Sequence, residues 1–115
     1  MADEPISTTE EDLDRQYDDI VESHRTYLER VQSAFDKRCE EIGAEAKKKL
    51  EEIPEEDEEG RKEVLMEEQG LLDQTLAELK QVVARRDADV RRKLEEIEKK
   101  REESAMDLEA ELAKI

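Results

Sequence analysis

The chain has 115 residues, of which 49% are charged and only 35% apolar, and its formal charge is −16. Leu, Ile, Val and Phe together number 24 and the aromatics three, too few large apolar groups for a thick globular core. Ala, Glu, Lys, Leu and Arg supply 66 residues, interrupted by two prolines and three glycines, a composition that belongs to long helices and coiled coils.

With 36 acids against 20 bases, the surface repels phosphate backbones and anionic lipid, so neither nucleic acid nor membrane is expected as a partner. No run approaches the roughly 18 apolar residues that a bilayer span requires. A lone Cys39 cannot close an intramolecular disulfide, and the acidic first dozen residues do not resemble a signal peptide. The expectation is an intracellular, cytoplasmic protein.

In chain order, residues 1–6 carry no periodicity and read as a disordered lead. Ser7-Thr8-Thr9-Glu10 then forms a capping-box pattern, in which Ser7 caps a helix and Glu10 reaches back. Glu10, Glu11 and Asp12 follow in the first turn, where the helix dipole favours acids. From there apolar positions recur at Leu13, Tyr17, Ile20, His24, Leu28, Val31, Phe35, Cys39, Ile42, Ala46, Leu50 and Ile53. Eleven steps cover the 40 residues from Leu13 to Ile53, an eleven-residue repeat that keeps one narrow stripe on one side of a helix over about 8–53.

Ile53-Pro54 ends that helix, because the residue before proline avoids helical geometry and Pro54 has no amide hydrogen to donate. An acidic turn over 54–57 follows, and Asp57 is placed to cap a second helix over about 58–114. The expected seam of that helix runs Leu65, Gln69, Leu72, Leu76, Leu79, Val83, Asp87, Val90, Leu94, Ile97, Arg101, Ala105, Leu108, Leu112, Ile115, less pure than the first because of Gln69, Asp87 and Arg101. Two helices joined by a short turn pack antiparallel.

Charge supports that topology over a parallel pair of kinked rods. Residues 1–60 carry 21 acids and 8 bases, whereas 85–101 hold eight bases against five acids. Folding about the turn brings that basic stretch beside 14–30, which holds five acids and three bases. The expected fold is therefore all-α: an antiparallel coiled-coil hairpin with arms of about 65–85 Å. Self-association into a four-helix bundle is a further expectation.

Chemistry is sparse. One histidine and one cysteine lie fifteen residues apart, roughly 22 Å along a helix, so they cannot form a nucleophile–base pair. No glycine-rich phosphate loop, CxxC or HExxH is present. Neither an enzyme nor a cofactor or metal site is expected. His24 interrupts the seam of the first helix: the plainer reading is an interface imidazole reaching a carboxylate, the sharper one a pH-sensitive seam. The acidic turn reads as a solvated tip or as a dock for a basic partner. Gly43 and Gly70 fall at matching levels, which suggests close helix approach or a softened point.

Val64, Leu71 and Val82 lie beside the expected seam of the second helix. The plainer reading is a widened seam with side chains folded over the groove; the sharper one, taken as the expectation, is a partner-facing stripe. Leu108, Leu112 and Ile115 outrun the first helix and form a second candidate contact. The expected function is a non-enzymatic structural or adaptor module that binds a protein partner or itself through helix faces. The alternatives are a chaperone-like holdase and the N-terminal fragment of a longer coiled-coil rod.

Overall fold

The computed structural model describes residues 9–115, and these form two helices with no strand among them. Helix α1 spans Glu10–Glu51 and α2 spans Glu58–Ala113. The fold is the all-α antiparallel hairpin that the periodicity requires. It divides into two compact units: one combines the start of α1 up to Thr26 with Arg85–Ile115, and the other is Tyr27–Ala84 with the turn.

The cap of α1 sits two residues later than Ser7, which lies outside the described residues, as does the 1–6 lead. Thr9 is the N-cap: the Asp12 amide donates to its Oγ1 at 3.3 Å, and that hydroxyl donates to Asp12 Oδ2 at 2.9 Å. Leu13 N donates to Thr9 O at 3.0 Å, the first helical bond. A threonine followed three residues later by a carboxylate thus recurs one step closer to the first buried side chain.

At the other end α1 tightens before the proline, with Glu52 N on Lys49 O and Ile53 N on Leu50 O, both at 3.2 Å. Asp57 caps α2 as expected, its Oδ1 accepting from Gly60 N at 3.0 Å. A Cβ at Gly60 would meet the Asp57 carboxylate, so any other residue there obliges that side chain to shift. Arg61 then closes the turn: its Nη1 donates to Leu50 O at 3.2 Å and to Ile53 O at 3.1 Å. Two carbonyls at the end of α1 thereby accept from α2, Leu50 O in addition to its bond from Ile53 N.

The α1 seam is the stripe read from the sequence. Leu13, Ile42 and Ala46 are buried, and Ile20, His24, Leu28, Val31, Phe35, Cys39, Leu50 and Ile53 are half-buried. Only Tyr17, at its edge, is exposed.

On α2 the seam runs one residue off the expected line through its first half. The covered seam runs Val64, Glu68, Leu71, Thr75, Leu79, Val83, Arg86, Val90, Leu94, Ile97, Arg101 and Ser104, with Leu72 half-buried beside it. Eleven steps again cover 40 residues, the same period as on α1, which is what keeps two straight helices in contact. Leu65, Gln69 and Leu76 follow a shorter heptad period and turn away. From Val90 to Arg101 the two lines coincide.

In the unit containing the N-terminal part of α1, Leu13, Val90 and Ile97 form the buried layer. In the turn unit, Ile42, Ala46 and Val64 do so. Each fully buried side chain contributes roughly 1.5–3 kcal/mol, so this thin core leaves a large share of specificity to caps and polar pairs.

Gly43 and Gly70 have open space where a Cβ would lie, with nothing within 4 Å. Close helix approach at these glycines, one of the two readings of their shared level, is therefore incorrect.

Candidate helix-docking face

Of the three residues expected to form a partner-facing stripe, Val64 and Leu71 lie together in the seam and Val82 is exposed. Val64 is only 9% exposed. With Leu71, it lines a cleft against Ile42 and Ala46 of α1. Both belong to the hairpin's own seam, which corrects their assignment to an outward stripe. The reason is the period: pairing with the eleven-residue repeat of α1 selects Val64 and Leu71 over the adjacent heptad leucines. Val82 is exposed.

The outward stripe exists, but other residues make it. Leu65 is 53% exposed and Leu76 39%, with Met66 exposed beside them. Leu72, Leu79 and Val83 are half-buried on the same line, and Gln69 is exposed. Alpha-helical residues at alternating four and three spacings share one side, so α2 carries two adjacent apolar lines within Tyr27–Ala84. One is covered by α1. The other is open to solvent at Leu65, Gln69 and Leu76, half-buried at Leu72, and joins the covered line at Leu79 and Val83.

In the other unit, Leu108, Leu112 and Ile115 are exposed, as is Met106. Leu108 also lines a groove with Leu13, Arg101 and Ser104 beside the start of α1.

The polar interruptions of the seam find partners across the hairpin. His24 Nε2 lies 2.8 Å from Asp87 Oδ1. Arg86 donates to Ser23 Oγ at 3.4 Å, and Arg101 pairs with Asp14 while its guanidinium lies 6.0 Å from the Tyr17 ring centroid. In the turn unit Lys49 Nζ pairs with Glu67 Oε1 at 3.1 Å. These contacts tie the two helices together within each unit. Among the described residues, no group of three or more His, Cys, Asp or Glu could hold a metal ion. Cys39 is a free, half-buried thiol. No helix among them is long and apolar enough to cross a membrane.

Arg61 is the structurally important side chain that sequence reading missed. Its signal is faint: a base four residues after the capping Asp57, facing an acidic turn. Comparison with family models, curated proteins and solved structures finds no match to this chain.

Proposed function

We propose that this protein is a non-enzymatic adaptor or scaffold that assembles with protein partners through the outward face of α2. The observation that supports this reading is the second apolar line, on which Leu65 and Leu76 are exposed and Leu72 is half-buried. Burying a helix face of this kind in a groove between helices supplies affinity, while the surrounding charges select the partner. The exposed end at Leu108, Leu112 and Ile115 is a second, separate contact. The acidic surface disfavours nucleic acid, and the free Cys39 suits a reducing, cytoplasmic setting.

The test is capture on the immobilised chain, comparing wild type with Leu76→Glu. An adaptor retains one stable stoichiometric partner that the variant loses. A holdase would instead suppress aggregation of an unfolded client in proportion to its concentration, and that result with no stable partner would replace the reading.

A further inference from the structure

We propose that the outward line of α2 is covered by α2 of a second copy of this chain, running antiparallel about a two-fold axis at the level of Gln74. This rests on the adaptor reading and names the occupant of the same face. The line Leu65, Gln69, Leu72, Leu76, Leu79, Val83 alternates four and three, the period of a left-handed coiled coil. It is exposed at Leu65, Gln69 and Leu76 and half-buried at Leu72, Leu79 and Val83, the last two shared with the covered seam, whose own steps do not alternate. A helix that serves only one neighbour has no need of a second period. The next heptad positions outward, Lys62 and Arg86, are charged, so the line has two ends and a centre.

That centre makes the line self-complementary. Leu72 and Leu76 are equidistant from Gln74, as are Gln69 and Leu79, and Leu65 and Val83. An antiparallel copy sets Leu72 against Leu76, Leu65 against Val83, and Gln69 against Leu79, each a heptad layer of the alternating kind that antiparallel pairs use. The exposed Met66 falls beside Lys80 of the copy, whose aliphatic stem can lie along the thioether while its ammonium stays in water.

Charge selects the direction. Residues 65–73 carry Glu67, Glu68 and Asp73 and no base, whereas 75–83 carry Glu78 and Lys80 and balance. A parallel pair would set the acidic segment against itself; the antiparallel pair sets it against the neutral one. The line is about 27 Å long, short of the roughly 800 Å² per partner of a standard stable interface, so association is reversible. Each copy carries −16, and screening that repulsion with salt favours the pair.

The experiment is sedimentation equilibrium of the whole chain from roughly 10 µM to 1 mM, at low and high salt. Wild type should move from 13.5 kDa toward twice that mass, more completely at high salt. Leu76→Glu and Leu65→Glu should each stay at the single-chain mass with unchanged helical circular dichroism. Should Leu76→Glu melt the helix, the more exposed Leu65→Glu decides between the outcomes.

Spin labels at Asp73→Cys or Glu59→Cys, in a Cys39→Ser background, read the register. The inter-chain distance should be short at 73 and about 45 Å at 59, from roughly 30 residues of helical rise. Equal short distances at both positions mean a parallel pair and overturn the proposal, as does dimerisation that both glutamate variants retain. A wild type that stays monomeric throughout overturns the second copy alone, and the adaptor reading then stands or falls by its own capture experiment.

Discussion

His24 of α1 and Asp87 of α2 meet across the hairpin, Nε2 to Oδ1, at 2.8 Å. Each interrupts its helix's apolar pattern, and they interrupt it at one level. The imidazole is only 18% exposed and its Nδ1 is buried without a hydrogen-bond partner, while the carboxylate keeps half its contact with water. A polar layer of this kind fixes register more than it stabilises, because desolvating the groups offsets much of their attraction.

Replacing His24 with Leu should therefore raise the urea midpoint, by roughly 1 kcal/mol in stability, since Asp87 can be solvated where it stands. The accompanying loss is specificity, visible as a broader distance distribution between labels placed on the two helices. A fall in stability would show that the pair contributes more than the apolar layer that replaces it.

Arg61 offers a sharper result. Its guanidinium bridges the carbonyls of Leu50 and Ile53, the first of which also accepts from Ile53 N. Arg61→Ala should cost about 1–3 kcal/mol by leaving both acceptors underused. Arg61→Lys should recover only part of it, because an ammonium lacks the planar fork. Hydrogen exchange should accelerate in the turn and in the first turn of α2. An unchanged urea midpoint for Arg61→Ala would mean that water satisfies those carbonyls equally well.

The two glycines inside helices give a prediction of opposite sign. Nothing lies within 4 Å of a Cβ built at Gly43 or Gly70, and neither has positive φ. Alanine at each site should stabilise by about 0.5–1 kcal/mol, by restricting the unfolded chain and improving helix propensity. The effects should add, since the sites lie on different helices and share no contact. A destabilised Gly70→Ala would point to a conformation of α2 that needs the glycine's freedom.

The α1 seam was legible because eleven of its twelve positions are apolar and their period is unbroken. Pro54 and Asp57 marked the turn for reasons internal to the backbone. The first half of α2 was misread by one residue for an equally physical reason. Its covered seam includes Glu68 and Thr75, whereas the neighbouring line holds Leu65 and Leu76, so the clearer apolar signal belongs to residues left exposed. Long side chains at a two-helix seam can lie along the groove with their polar ends in solvent, which hides such positions from a hydrophobic pattern. Arg61 was illegible because its acceptors become neighbours only once the turn has closed.

The exchange of the two lines can be measured directly. Val64→Ala removes buried methyl groups beside Ile42 and Ala46 and should cost about 1–2 kcal/mol. Leu65→Ala, one residue on, should cost under about 0.5 kcal/mol in the dilute single chain. Urea denaturation of the two variants at low protein concentration compares them. Reversed magnitudes would restore the heptad line as the hairpin seam.

The final turns of α2 should be the first part of the described chain to open. Met106, Leu108 and Leu112 are exposed there, so little apolar burial holds the helix against the entropy of fraying. The last turn carries no base, and Glu109 and Glu111 sit near the negative end of the helix dipole, where acids are unfavourable. Upstream, Val90 and Ile97 are buried against α1. Amides beyond Met106 should therefore exchange within seconds in dilute solution, while those around Val90–Ile97 are protected by nearly the full unfolding free energy. Strong protection beyond Met106 at low concentration would show that Leu108 and Leu112 are covered within the single chain. Protection that appears only as concentration rises would instead place a contact between copies at this end.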